Sequence, residues 1–289
     1  MPFEFPFTVK DIVLGGLIPA GLVVAVCLLS ARFLASHFTR SIAANWAIGI
    51  ASFVGIRLLA LTPWKPVNHW HWLPYIGLAC AVLSPLLIHK NAAIRFATAV
   101  VAAVASAYLL VPEWDSLPQP GSVMICLFAV IVIGVWLVMR PLSQRIPHRS
   151  LAIVFAGSML GATLILTLAG SLRFGQIGGS IAAGFFGLMV AEFVARTSDK
   201  LTDLSFMFCV LGGGVMLVGQ LNSSSDVPLV CYLIPPLAPL TLWLGRLGPL
   251  AKLTGKSRMT IDIVLPAIVV LTAVCIAAGT QLLDDTAVY

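Results

Sequence analysis

Charge is what this sequence is short of. Only 10% of its 289 residues are Asp, Glu, Lys or Arg, where soluble domains carry about 25%. The 60% that are hydrophobic fall in long runs, which points away from a soluble domain and toward an all-α polytopic membrane protein. Stretches of about ten residues alternating apolar and polar are missing too, which argues against a transmembrane barrel.

Motifs that carry chemistry are equally scarce. There is no CxxC pair and no Cys/His group at zinc spacing. Cys27, Cys80, Cys126, Cys209, Cys231 and Cys275 all lie inside apolar runs and read as small buried hydrophobes. No GxxxxGK[ST] sequence occurs, which argues against an ATP-driven pump, and no DDxxD-like pair of carboxylates occurs. The sequence therefore supplies no metal site, no cofactor and no catalytic residue. The net charge of +6 sits in short loops between apolar runs, so it bears on membrane orientation and not on nucleic acid. The first apolar run lacks a positive leader. Glu4, Lys10 and Asp11 precede it and Arg32 and Arg40 follow, the pattern of a retained segment inserted with its N-terminus outside.

What is there is a series of ten apolar segments, at residues 12–34, 42–61, 73–88, 96–111, 122–139, 151–172, 177–195, 204–221, 227–244 and 261–283. Crossing the hydrocarbon takes roughly 20 residues, so the third, fourth and ninth must draw on their flanking loops. Thirteen of the 17 basic residues fall in odd-numbered connections: Arg32 and Arg40; Lys90 and Arg95; Arg140, Arg145 and Arg149; Arg196 and Lys200; Arg246, Lys252, Lys256 and Arg258. Lys10, Lys65 and Arg173 fall on the other side, and Arg57 lies within the second span. Basic loops stay cytoplasmic, so both termini are expected outside, across a bacterial inner membrane.

The stretch from Gly175 to Arg196 carries Gly175, Gly179, Ala183, Gly187 and Ala191 at every fourth position. Such a face lets another helix approach closely in lipid. Ala43, Ala47, Ala51 and Gly55 form a similar face, and the tetrapeptide SIAA occurs at both Ser41 and Ser180. That offset of 139 residues lays the first five spans on the last five. Five is odd, so the two halves, 1–145 and 146–289, would be inverted repeats, the outline of many secondary transporters.

Few residues stand out within spans. Arg57, about 6 Å from the outer end of its span at helical rise, suits an anionic solute, a carboxylate partner or the outer interface. Glu192 offers either an i,i+4 pair with Arg196 or a proton or cation site. Asp262 opens the last span, where it complements the helix dipole; with Glu192, Asp199 and Asp203 it forms a weak inner acidic group. In the outer connection, Trp64, Trp70 and Trp72 suit the headgroup region, and His69 and His71 lack a third metal ligand. The irregular backbone says most. Gly212, Gly213 and Gly214 interrupt the eighth span, and Pro235, Pro236 and Pro239 the ninth. Both helices are expected to kink or break near midplane. The prolines free the carbonyls of Cys231 and Tyr232, which suits a solute or cation site with the Tyr232 hydroxyl beside it.

The function expected is a secondary transporter of a small solute or ion, with a midplane site between the halves. A second reading is a non-catalytic subunit or assembly factor of a membrane complex, with partner subunits or further copies of the chain around it. A third is a membrane enzyme acting on lipid at the inner face. All three live in the lipid bilayer.

Overall fold

The computed structural model describes residues 8–34, 36–114, 117, 119–195 and 204–287. Asp115, Arg196, Asp199, Lys200 and Asp203 lie outside the described residues. Ten helices are long and apolar enough to cross a membrane, and no strand occurs among the described residues. They are α1 (Val9–Phe33), α2 (Phe38–Leu58), α3 (His69–Leu87), α4 (Ala92–Leu110), α5 (Gly121–Ser143), α6 (Arg149–Leu168), α7 (Leu172–Val194), α8 (Leu204–Asn222), α9 (Leu229–Arg246) and α10 (Ser257–Gln281). Outer and inner below name the two ends of the bundle by the orientation read from the sequence.

Each apolar segment has its helix, so the chain is a multi-pass membrane protein. Several helices begin about a turn before the apolar run does. Ser36 caps α2 by accepting from the Thr39 amide at 3.1 Å, and Asn91 caps α4 by accepting from the Ala93 amide at 2.9 Å. Capped first turns carry Arg40 and Arg95 inside the helix, because the cap satisfies amides that hydropathy alone does not weigh. Near the outer end of α1, Ile12–Leu17 is wound as a π-helix, which seats Gly15 under Leu59 and Ser180.

The small-residue face of α7 packs as expected, but against two partners. A Cβ on Gly175 would lie 2.3 Å from Thr167 Oγ1 of α6, whereas one on Gly187 would lie 2.4 Å from the Ala20 carbonyl oxygen of α1. A four-residue step on a helix with 3.6 residues per turn drifts by about 40°. Over three steps the stripe turns by about 120°, from α6 toward α1. On α2, Gly55 meets Pro19 and Ser180, and Gly49, outside the expected face, lies against the Gly77 carbonyl of α3.

The most enclosed helix is α8. It packs against α2, α3, α4, α5, α6, α7 and α9. Phe208 of α8 stacks on Phe155 of α6 at 4.3 Å, and Phe185 of α7 meets both rings edge-on. The expected break at Gly212–Gly214 does not occur: α8 is continuous through it. Gly212 and Gly214 answer crowding, whereas a Cβ on Gly213 would make only ordinary contacts, the nearest at 3.5 Å. Successive positions point about 100° apart, so Gly212 faces Met159 of α6, Gly213 faces Phe128 of α5, and Gly214 faces Leu73 and Leu110 of α3 and α4. Glycine keeps its amide donor, so the helix survives while neighbours close in on Gly212 and Gly214.

The prolines of α9 act differently. The helix remains α over Leu229–Leu237, then tightens to a 3₁₀ form over Ala238–Arg246. Pro235 and Pro236 cannot donate to the carbonyls four residues back, and the tighter winding carries the chain on beyond them. In α3, α5 and α10, Pro85, Pro141 and Pro266 are accommodated within continuous helices.

Candidate solute cavity

A cavity of about 520 Å³ lies between α5, α8 and the α-helical first part of α9, Leu229–Leu237. Its α5 wall is a stripe of Met124, Leu127, Phe128, Ile131, Val132 and Val135, spaced along one helical face. On α8 it runs from Gln220 to Cys209, with Gly213 between. Eleven residues at helical rise make it about 16 Å long. Gly213 stands nine residues from each end of α8, so the cavity reaches the centre of a hydrocarbon layer about 30 Å thick.

The cavity has one wet end and a long dry body. Gln119 and Gln220 stand at the outer end, and the rest of the wall is apolar apart from Cys209 and Tyr232. Tyr232 is 3% exposed, and its hydroxyl finds no hydrogen-bond partner among the described residues. A buried phenol without a partner forfeits roughly 1–3 kcal/mol, which a bound acceptor or donor would restore. Below the cavity, Trp243 Nε1 donates to the Val138 carbonyl oxygen at 3.1 Å, tying α9 to α5. On the lipid side, Leu127, Leu229 and Leu233 are exposed, so the cavity opens sideways between α5 and α9.

Of the nine residues singled out in the sequence, Gly213, Tyr232 and Pro236 line this cavity. Gly212 and Gly214 are spent on packing, and Cys231 and Pro235 are buried elsewhere on α9. Measured from Leu229, Pro235 lies about 9 Å deep, in the outer half and not level with Gly213. The α5 wall had no signal in the sequence, because a lining stripe of Leu, Ile and Val is indistinguishable from a core stripe.

Arg57 and Glu192 lie on other elements. The Arg57 guanidinium donates to the Thr62 carbonyl oxygen and lies over the Trp64 ring, 3.8 Å from its centroid. It fastens the outer loop to the end of α2. The histidines of that loop are engaged as well. His71 Nδ1 accepts from the Val67 and Asn68 amides, both at 3.0 Å, and His69 Nε2 is 3.0 Å from Asn222 Nδ2. No group of three or more His, Cys, Asp or Glu suited to a metal occurs among the described residues.

Glu192 is 6% exposed near the inner end of α7, and one carboxylate oxygen has no hydrogen-bond partner among the described residues. Arg149 donates to its backbone carbonyl at 3.2 Å. Asp262 is not at a helix start, because its helix begins at Gly255. It is fully buried and holds two arginines, Arg246 at 3.3 Å and Arg258 at 3.2 Å. The dipole reading of Asp262 is thereby replaced by an i,i+4 ion pair with Arg258 within α10, which Arg246 joins when α9 packs against α10. Comparison with protein-family models, curated proteins and solved structures finds no match to this chain.

Proposed function

We propose that this protein is a secondary transporter for a small single-chain amphiphile, taken from the bilayer into the cavity between α5, α8 and α9. The observation that carries the reading is the cavity itself, dry along its body and polar at one end, with a buried Tyr232 hydroxyl that has no hydrogen-bond partner among the described residues. Its volume lies within the range of about 300–1,000 Å³ for small-molecule sites. An apolar wall favours an alkyl body over a bare cation, which would have to shed its water with few oxygens to replace it. The cavity also lies between elements of the two expected halves, α5 from the first and α8 and α9 from the second, as midplane sites of inverted-repeat carriers do.

A photoreactive dodecanol carrying a diazirine tests the site in reconstituted liposomes. Adducts are expected on the cavity stripe of α5 and around Tyr232, with excess plain dodecanol suppressing them. Tyr232→Phe should lower labelling severalfold, on the order of the 1 kcal/mol of one neutral hydrogen bond. Adducts spread evenly over all lipid-facing helices would sink the proposal.

We also propose that both termini face outward, in a bacterial inner membrane. The basic residues of the odd-numbered connections support this orientation. Reporter fusions after Asp226 and at the C-terminus should read external, and fusions near Arg145 and Lys252 cytoplasmic. A cytoplasmic C-terminus would refute the orientation.

A further inference from the structure

The cavity between α5, α8 and α9 is closed at its inner end. Its lining runs from Met124 to Val135 on α5 and from Gln220 to Cys209 on α8, eleven residues apart on each helix and so about 16 Å on both. One residue beyond Val135, Trp136 meets Phe206 edge-on, with ring centroids 5.7 Å apart. Phe206 stands about one turn beyond Cys209, and both rings are fully buried. The pair shuts α5 against α8. The Trp243–Val138 hydrogen bond ties α9 to α5 at the same end. Ala238 and Leu242, beyond the last α9 lining residue Leu237, are buried. The exposed apolar lining residues, Leu127, Ile131, Leu229 and Leu233, all lie nearer the outer end than Val132 and Val135, which are buried.

An occupant drawn from the bilayer gains nothing from its apolar length alone, because lipid tails are as apolar as the wall. What distinguishes one chain length from another is fit. A chain that stops short leaves empty space, and the atoms lining it lose their contacts. One that is too long meets the aromatic floor and lifts its polar end away from Tyr232 and Gln220. An extended alkyl chain, with C–C bonds near 1.5 Å, advances about 1.3 Å per carbon, so a depth of about 16 Å holds about twelve carbons. Gly213 keeps the inner part within reach. It lies four residues from Cys209, about 6 Å at helical rise, and a Cβ there would meet Phe128 at 3.5 Å, an ordinary contact. Packing therefore does not demand glycine at this position. A longer side chain would reach across to α5 and cut the inner part off.

We infer that the cavity measures chain length, taking a single unbranched chain of about twelve carbons, with Val135 and Cys209 as its floor and Gly213 as the residue that sets its usable depth. The inference rests on the transport reading, because it concerns the same cavity. The polar end of the chain is met by the Gln220 carboxamide and the Tyr232 hydroxyl. These stand at similar depth, Gln220 two residues from the outer end of α8 and Tyr232 three from that of α9.

The test sets unlabelled straight-chain 1-alkanols of even length, from octanol to hexadecanol, against the diazirine dodecanol in liposomes holding the full chain. Each is dosed at equal mole fraction of membrane lipid, and adducts on the cavity residues are counted by mass spectrometry. Competition should peak at dodecanol. Decanol leaves the space of two methylenes empty and should compete about tenfold less well. Hexadecanol, its hydroxyl pushed out past Gln220, should compete about fivefold less well, the loss of one hydrogen bond. In Gly213→Leu the peak should move to octanol, because the seven residues from Gln220 to Gly213 span about 10 Å. If that variant fails to fold, the wild-type profile decides alone. Dodecanol suppressing the cavity adducts no better, per mole fraction, than octanol and hexadecanol would overturn the inference and leave the transport reading standing. So would an unmoved peak in folded Gly213→Leu. Adducts that do not concentrate in the cavity would overturn both.

Discussion

Asp262→Ala is expected to lower the unfolding free energy by roughly 3–5 kcal/mol, the cost of stripping a buried ion pair of one partner. The carboxylate is fully buried and is the one counter-charge within ion-pair distance of Arg246 and Arg258 among the described residues. Without it the guanidinium groups of Arg246 and Arg258 are left facing one another at the α9–α10 junction. The thermal midpoint in detergent should fall sharply, and Asp262→Asn should fall nearly as far, since an amide keeps the shape but not the charge. Adding Arg246→Gln to Asp262→Ala should recover part of the loss, because the two sites are coupled. A midpoint unchanged in Asp262→Ala would mean the arginines find their counter-charge elsewhere.

Gly187→Leu is the second large effect. A Cβ at this position would lie 2.4 Å from the Ala20 carbonyl oxygen and 2.9 Å from the Ala20 Cα. Backbone atoms cannot turn aside as a side chain can, so α1 must move off α7. Overpacking of this kind costs roughly 1–3 kcal/mol, occasionally more, and in a membrane bundle it removes the close contact that holds the pair. Gly179→Ala is the internal control. Its Cβ would meet only Thr163 Cγ2 at 3.7 Å, an ordinary contact, so its midpoint should stay near wild type. Equal midpoints for Gly187→Leu and wild type would show that α1 is not locked to α7.

These two positions show how far the sequence reaches. Gly187 was visible in advance, because a four-residue repeat of small side chains has one physical use in lipid. Which neighbour it meets was not visible, because the 40° drift of the stripe matters only once α1 and α6 are both in place. The ten spans were legible for the simple reason that crossing a bilayer demands long apolar runs. Their ends were less so, since Ser36 and Asn91 extend helices through polar residues by capping. Asp262 was misread because its helix starts early enough to include Arg258, and because Arg246, sixteen residues earlier, joins from another helix.

The glycines of α8 carry the same lesson in reverse. In sequence, Gly212–Gly214 suggests a broken helix; in the bundle it belongs to the most enclosed helix, with a different neighbour at each glycine. Pro236 did mark the cavity, whose wall it joins, although the change from α to 3₁₀ winding comes just beyond the lining. The facing wall on α5 is built from residues that any lipid-facing or core helix would carry, and only the packing distinguishes them.

The measurement closest to the central claim is movement of an amphiphile through the cavity. An NBD-tagged dodecyl chain, followed by dithionite quenching in proteoliposomes, should exchange between leaflets at least about tenfold faster than in protein-free vesicles. Gly213→Phe should abolish the gain while keeping the thermal midpoint, because Gly213 lies on the cavity wall with Phe128 at 3.5 Å and a bulky ring there fills the space. Exchange no faster than in empty vesicles, or equally fast in folded Gly213→Phe, would contradict the account.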